Sequence, residues 1–140
     1  MSTVSKSIEV TAPLGAVAAY ISDLNHITTY IPDVHEVSNI QHTSSETLLG
    51  SSATFRMSIA GMEQSLPLII DRYEVGAPTY IRLSNEGEGI YIELRVDPSG
   101  EEQSTVQVAL SAQVASFLLN IMFGGTLERG LHTLKTIMEG

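Results

Sequence analysis

The C-terminal segment, residues 116–140, constrains the fold of this chain more than any other stretch, because its apolar residues recur at three- and four-residue steps. This spacing places Leu119, Phe123, Leu127, Leu131, Leu134 and Met138 on one helical face, widened by Ile137, with Met122 further round and Glu128, His132, Lys135 and Glu139 on a polar flank. Such a helix would be about 37 Å long at about 1.5 Å per residue. A single amphipathic helix cannot bury this face alone, so the rest of the chain must supply a concave partner.

The preceding sequence predicts that the partner is a β-sheet. Residues 4–10 have the composition of a strand, and residues 13–22 form a helical pattern with Pro13 in the first turn. Asp23 is a good N-cap for a second short helix that ends at Pro32. From residue 34 the apolar period changes to two, which predicts strands at 34–43, 48–60, 62–75, 79–85, 89–96 and 103–115. We therefore expect an α+β fold in a single domain, residues 1–140.

Turn residues and one proline refine this prediction. Ala60-Gly61 is predicted to be a tight turn, and Asp97-Pro98-Ser99-Gly100 has the residues that a type I turn prefers. Pro67 indicates that its strand lies at an edge or contains a bulge. The last two predicted strands alternate apolar and polar residues, which is typical of an antiparallel sheet covered on one side only.

Charge and composition exclude several classes of partner. The 140 residues include 16 acids and 7 bases, giving a net charge of −9, which disfavours nucleic acid and anionic membrane surfaces. No apolar run is long enough for a membrane span, so we expect no stable membrane insertion. There is no cysteine and no recognisable signal peptide, which predicts a cytoplasmic protein.

No motif for a metal or a cofactor is evident. The histidines, His26, His35, His42 and His132, lack the mutual spacing of metal ligands. The sequence also lacks a glycine-rich phosphate loop and a nucleophile elbow. We therefore expect neither a metal nor a cofactor.

Four short phrases, taken in order, carry a resemblance to a known family. They are Ile8-Glu9-Val10-Thr11-Ala12-Pro13, Tyr20-Ile21-Ser22-Asp23-Leu24, Tyr30-Ile31-Pro32-Asp33-Val34 and Leu131-His132-Thr133-Leu134-Lys135. The chain resembles the START-related helix-grip superfamily, in particular the polyketide cyclase/dehydrase-like proteins, the coenzyme-Q-binding proteins and the relatives of the G subunit of carbon monoxide dehydrogenase. It departs from them at Tyr30-Ile31-Pro32, where members usually carry a tryptophan before the proline. The resemblance implies a curved antiparallel sheet of about seven strands around the long C-terminal helix, with two short helices after the first strand and a cavity that holds an apolar small molecule or lipid.

A cavity of this kind needs mostly apolar walls and a few convergent polar groups. The alternation of the strands predicts its wall residues as Phe55, Met57, Ile59, Gln64, Leu66, Leu68, Ile81, Leu83, Ile92, Leu94, Val108 and Leu110, and the helix adds Met122 and Phe123. The alternative for the apolar members is that they fill a solid core. Gln64 is the polar exception, and it faces inward only if Pro67 does not reset the phase of its strand. Tyr20, Tyr30 and Tyr80 are candidates for hydroxyl groups at the cavity rim, whereas Tyr91 is expected on the outer face with Arg56, Arg82, Glu93 and Arg95.

Several hypotheses remain at this point. The first is binding of an apolar small molecule or lipid, and the alternatives are a polyketide cyclase/dehydratase-like enzyme and an assembly module resembling the G subunit of carbon monoxide dehydrogenase. A homodimer is a further expectation. Gly124-Gly125 interrupts the helical pattern at a cost of about 1 kcal/mol per glycine relative to alanine. It is either a hinge for a gate over the cavity or a structural feature, namely a helix start near Thr126 or a close approach of the sheet.

Overall fold

The computed structural model describes residues 1–44, 46–59, 61–114 and 116–140. The strands are β1 Ser2–Val10, β2 Val34–Gln41, β3 Ser52–Ile59, β4 Met62–Glu74, β5 Thr79–Asn85, β6 Ile90–Gly100 and β7 Gln103–Ala112. The helices are α1 Leu14–Ser22, a 3-10 turn Leu24–His26, α2 Ile27–Tyr30, α3 Ser116–Leu119, a π turn Asn120–Gly124 and α4 Gly125–Glu139. All seven strands form one antiparallel sheet in the order β1-β7-β6-β5-β4-β3-β2. The predicted helix-grip fold is confirmed.

The C-terminal helix packs its apolar face against the inner face of the sheet. Leu119, Phe123, Leu127, Leu131 and Leu134 are all buried, as their spacing predicted. The inward residues of β6 and β7 are buried with them, so one continuous core lies between helix and sheet. Met138 is partly buried, whereas Ile137 is 41% exposed and does not widen the face, contrary to the prediction.

The short helices after β1 follow the sequence signals closely. Pro13 immediately precedes α1, where its missing N–H removes no helical hydrogen bond. The Asp23 carboxylate accepts a hydrogen bond of 3.0 Å from the backbone N–H of Asn25 and so caps the 3-10 turn. Tyr30 ends α2, one residue before Ile31-Pro32.

The convex face of the sheet carries the predicted cross-strand polar pairs. Arg82 on β5 donates two hydrogen bonds of 2.9 and 3.1 Å to Asp71 on β4, and Ser84 donates a third of 2.8 Å. Burial alone would raise the pKa of Asp71, but the hydrogen bonds from Arg82 and Ser84 outweigh it and hold that pKa below its ordinary value. On the same face Tyr80 donates to Glu93 at 2.5 Å. Burial and this bond raise the pKa of Tyr80 to about 12.

The turn predicted at Asp97-Pro98-Ser99-Gly100 is wrong. β6 continues through Gly100 and the chain reverses at Glu101-Glu102. Asp97 and Pro98 pair with Thr105 and Ser104 of β7, with a register shift between Pro98 and Gly100. The extended pairing with β7 outweighs the local turn preference.

Pro67 lies at a local edge of the sheet, which is one of the two situations predicted for it, the other being a bulge. Its pairing with Thr54 of β3 belongs to an unbroken register, so there is no bulge on that side. On the other side β4 pairs with β5 only from Ile69 onward, which leaves Pro67 beyond the end of β5. The Asn85 side chain donates a hydrogen bond of 2.9 Å to the Pro67 carbonyl oxygen and caps this free edge.

A close backbone approach to the C-terminal helix occurs at a glycine that the sequence analysis did not single out. A Cβ atom on Gly130 would lie 2.1 Å from the carbonyl oxygen of Tyr30, so only glycine lets α2 and α4 pack this closely. A Cβ atom on Gly124 would meet only the side chain of Asn120, and one on Gly125 would have Arg129 Nη1 at 3.9 Å as its nearest neighbour. The prediction that the sheet approaches Gly124-Gly125 closely is therefore wrong.

Strand ends differ from their predicted positions by up to four residues. β1 begins earlier than predicted, at Ser2, and β3 begins later, at Ser52. Ala60, half of the predicted Ala60-Gly61 turn and the end of one predicted strand, lies outside the described residues. Ala115, the predicted end of the last strand, also lies outside them. Gly61 has a φ angle of +78°, which glycine adopts readily in a tight turn.

Candidate ligand-binding site

A small apolar cavity lies between the sheet and the first half of the C-terminal helix. Its volume is about 20 Å³, close to the minimum needed for one water molecule. It is lined by Met57, Ile59, Ile90, Leu110, Ala112, Val114, Met122 and Phe123. None of these eight lining residues carries a charged side chain or a side-chain N–H or O–H group. In the structure this space is nearly filled by its own side chains.

Three strand ends and one helical segment form the cavity. β3 contributes its last residues, β6 its first residue and β7 its last inward residues, so the cavity lies at one end of the sheet. The opposite wall is the π turn, which contributes Met122 and Phe123. Two of the lining side chains are methionines, which adapt their shape at low energetic cost. The wall is therefore built to repack more easily than a wall of β-branched residues.

The structure brings together five of the predicted wall residues, namely Met57, Ile59, Leu110, Met122 and Phe123. The other predicted apolar residues are buried in the core and do not line the cavity: Phe55, Leu66, Leu68, Ile81, Leu83, Ile92, Leu94 and Val108. The prediction missed Ile90, Ala112 and Val114. Ile90 and Ala112 are in phase with inward neighbours on their strands, and Val114 continues the phase of β7 two residues beyond its end. Alternation therefore identified their face but not their proximity to the helix.

Gln64 is a polar side chain placed beside this wall by the register of the sheet. It pairs directly with Met57 across β3 and β4, and it shares the inward phase of Leu66 and Leu68. Because the register is unbroken at Pro67, the phase is not reset and Gln64 faces inward. Its side chain is half-buried near the start of β4 and does not line the cavity itself.

None of the candidate tyrosines places its hydroxyl in the cavity. Tyr20 pairs with Thr29 at 2.9 Å, and Tyr80 lies on the convex face with Glu93. Tyr30 is fully buried under α1, where its hydroxyl donates to the Ile21 carbonyl oxygen at 3.5 Å. Burial raises the pKa of Tyr30 far above its ordinary value, so it stays protonated. Tyr91 lies on the outer face as expected, with Arg82 5.5 Å from its ring centre.

The helix is fixed to the rest of the molecule immediately after the cavity. Thr126, in the first turn of α4, donates a hydrogen bond to the carboxylate of Asp33, next to α2. Its hydroxyl also contacts the carbonyl oxygen of Phe123 at 3.0 Å. Burial raises the pKa of Asp33 above its ordinary value, against the opposing effects of Thr126, His35 and Arg129.

The larger depressions of the surface are open to solvent. Grooves of about 630 and 520 Å³ lie beside residues 42–44 and 46–48 and on the convex face, and both are shallow and partly polar. Within the described part of the chain, no three potential metal-ligating side chains come together. The histidines are dispersed, with His26 stacked on Tyr20 and His35 bonded to Ser58.

Comparison with known proteins identifies the class of the chain. A family model described as "Polyketide cyclase / dehydrase and lipid transport" matches residues 1–139, so the chain belongs to this family. No curated protein matches the sequence. Across the described residues, no helix is both long and apolar enough to span a membrane.

Solved structures show the same fold at low sequence identity. A START superfamily protein from Mycobacterium smegmatis is 18% identical, with a TM-score of 0.72 over 99% of this chain and 97% of that one. A protein from Thermobifida fusca, solved by NMR, is 22% identical, with a TM-score of 0.68 over 96% and 91% of the two chains. Norcoclaurine synthase from Thalictrum flavum, solved with a transition-state analogue, is 10% identical, with a TM-score of 0.63 over 98% and 93%. At these identities the likeness establishes the fold alone.

Proposed function

We propose that this protein binds an apolar small molecule or lipid between its sheet and the first half of its C-terminal helix. The observation that carries the proposal is the wholly apolar lining of the space at the end of the sheet. Burial of hydrocarbon against such a lining is favourable by about 25 cal/mol per Å² removed from water, whereas burial of an unpartnered polar group is unfavourable. Membership of a family described by lipid transport supports the same class of ligand.

The lining favours a carrier over a cyclase or dehydratase. Those reactions need an acid or a base within hydrogen-bonding reach of the substrate. Among the eight residues that line the cavity, none can donate or accept a proton. Gln64, the polar side chain paired with Met57, has an amide that can orient a ligand but cannot act as a base at neutral pH.

The small volume of the cavity sets a requirement on binding. About 20 Å³ cannot contain a fatty acid or a quinone, so a ligand must displace side chains of the wall. Met57 and Met122 are suited to this because each has several rotatable bonds and a polarisable sulfur atom. The cost of this displacement lowers the affinity, so micromolar rather than nanomolar binding is expected.

A ligand panel with two matched variants tests the proposal. Fatty acids, quinones and aromatic polyketides are screened by native mass spectrometry and by thermal unfolding of the full chain. Ala112 lines the cavity, and Ala109 lies on the same strand in the opposite phase, facing the convex side. Ala112→Leu fills the space that a ligand needs, whereas Ala109→Leu adds the same atoms elsewhere.

At least one apolar compound is expected to bind with one-to-one stoichiometry and to raise the Tm by several degrees at saturating concentration. Ala112→Leu is expected to weaken this binding at least tenfold, and Ala109→Leu to leave it unchanged. Unfolding curves of both variants without ligand verify that each is folded. If nothing in the panel binds, or if both variants bind equally well, the proposed site is wrong.

A further inference from the structure

The helix that closes the cavity differs in its attachments before and after Gly125. After that point, three buried leucines, Leu127, Leu131 and Leu134, pack into the core. Gly130 rests against the Tyr30 carbonyl oxygen, where even a Cβ atom would collide, and Thr126 is bonded to Asp33. This part of the helix is fixed by packing, close backbone contact and a charged hydrogen bond.

From Leu118 to Phe123 the attachment is apolar and one-sided. Leu119 is fully buried and Phe123 is 3% exposed, but Leu118 and Ile121, on the other side of the same turns, are 44% and 74% exposed. In the described part of the chain, the side chains of residues 118–123 form no hydrogen bond or ion pair with the sheet. Residues 118–123 are therefore held on the sheet by apolar contacts.

The junction between the two parts has the local features of a hinge. The π turn Asn120–Gly124 replaces regular α-helical hydrogen bonding immediately before it. Gly125 has an ordinary helical φ of −70° and no close neighbour at its Cβ position, so neither the backbone nor packing requires glycine there. A glycine in a helix interior costs about 1 kcal/mol relative to alanine. What Gly125 does provide is backbone freedom beside the cavity wall.

We propose that residues 116–124, which we term the gate segment, swing outward about Gly124-Gly125 to admit a ligand while α4 stays in place. This inference rests on the proposed function, because it describes how a ligand larger than the present cavity enters the site. Met122 and Phe123 move with the gate segment, so opening removes the helical wall of the cavity. The anchored part, from Thr126 onward, retains the core during this motion.

Single cysteine substitutions test the gate directly, because the chain contains no native cysteine. Leu119 and Leu134 are both fully buried leucines on the C-terminal helix, one on each side of the hinge. Leu119→Cys reports opening of the gate segment, and Leu134→Cys reports unfolding of the anchored part. Ile121→Cys, at an exposed position, gives the reference rate for a free thiol. The rate of reaction with an aromatic disulfide reagent is measured under native conditions.

The thiol at position 119 is expected to react at least tenfold faster than the thiol at position 134. Adding Gly125→Ala is expected to slow the reaction at position 119 severalfold without changing the rate at position 134. Equal rates at the two positions, or no effect of Gly125→Ala, would overturn the gate. Should a cysteine variant fail to fold, hydrogen exchange in the otherwise unaltered chain makes the same comparison. Gly125→Ala must then slow exchange in residues 119–124 and not in residues 128–134.

The outcomes separate the gate from the proposed function. If the thiol at position 119 is exposed by local opening but no apolar compound binds, the gate stands and the ligand-binding proposal fails. If a compound binds but the thiols at positions 119 and 134 react at the same rate, ligand binding stands and entry through residues 116–124 is wrong.

Discussion

The two parts of the C-terminal helix carry the same apolar stripe but are attached to the molecule in different ways. From Thr126 onward the stripe lies against the core, and a backbone contact at Gly130 and a hydrogen bond to Asp33 secure it. In the gate segment Leu119 is buried in the core and Phe123 borders the small cavity, while Leu118 and Ile121 on the opposite side are exposed. Burial of a residue therefore does not by itself measure how firmly its segment is held. The contacts around that residue decide whether it opens alone or only with the whole fold.

The largest expected effect is at Gly130. Gly130→Ala places a Cβ atom 2.1 Å from the Tyr30 carbonyl oxygen, so α2 and α4 must move apart. Overpacking against backbone is expected to lower the free energy of unfolding by about 3 kcal/mol. Urea denaturation measures this change. A stability equal to that of the unaltered chain would show that the close contact between α2 and α4 is not required.

A smaller contrast is expected between buried leucines on the two sides of the hinge. Leu134→Ala should cost about 3 kcal/mol, within the range for buried leucine truncation. Leu119→Ala should cost about half as much. A substitution in the gate segment can lower the free energy of unfolding only by as much as the free energy that holds this segment in place. Both values come from the same denaturation experiment. Equal losses would mean that the two parts of the helix unfold only together.

Two carboxylates should respond to pH with opposite signs. The lowered pKa of Asp71 contributes stability above its ordinary pKa of about 3.9, and this contribution is lost as the pH falls below that value. Asp71→Asn should therefore destabilise the protein by about 1 kcal/mol at pH 7, and the difference should shrink as the pH falls through the lowered pKa of Asp71. The measurement is the Tm of both proteins between pH 3 and 7.

Asp33 provides the opposite case at the helix anchor. Its pKa is raised, so its folded state is favoured by protonation, and this stability is lost as the pH rises through the raised pKa. Asp33→Asn retains an acceptor for Thr126 without the buried charge. The variant should be at least as stable as the parent at pH 7 and should lose that advantage below about pH 4. A destabilised variant at pH 7 would show that the anchor needs the charge.

The smallest stability effect is expected at the hinge itself. Gly125→Ala introduces no collision and removes backbone freedom from the unfolded chain, so it should raise the free energy of unfolding by about 0.5 to 1 kcal/mol. Gly130→Ala is the matched comparison: the same substitution on the same helix should lower the free energy of unfolding at position 130 and raise it at position 125. A destabilising Gly125→Ala would mean that the glycine has a packing role.

The sequence predicted the features that depend on periodicity and missed those that depend on distance. The helical stripe, the alternation of β6 and β7 and the Asp23 cap are local patterns, and the structure confirms them. The requirement for glycine at position 130 is not visible in the sequence, because it arises from contact with Tyr30, which is far away in the chain. The turn predicted at residues 97–100 failed because pairing with β7 overrides local preference.

The extent of the cavity was beyond prediction for the same reason. Alternation assigns Leu94 and Leu110 to the same face, yet only Leu110 borders the cavity. Whether an inward residue borders the cavity depends on where its strand ends relative to the π turn. That relation is set by the register of the whole sheet, which a single strand does not encode.

The most direct test of the central claim, that an apolar guest enters between the sheet and the gate segment, uses the methionine methyl groups as reporters. Of the 5 methionines, Met57 and Met122 line the cavity, while Met138 lies near the far end of α4. The protein carrying ¹³C-methyl methionine is titrated with dodecanoic acid and with decyl-ubiquinone, both below their aggregation limits. The methyl resonances of Met57 and Met122 are expected to shift in a saturable manner while that of Met138 stays unchanged. Saturation without any shift at Met57 and Met122, or equal shifts at all three, would contradict the account.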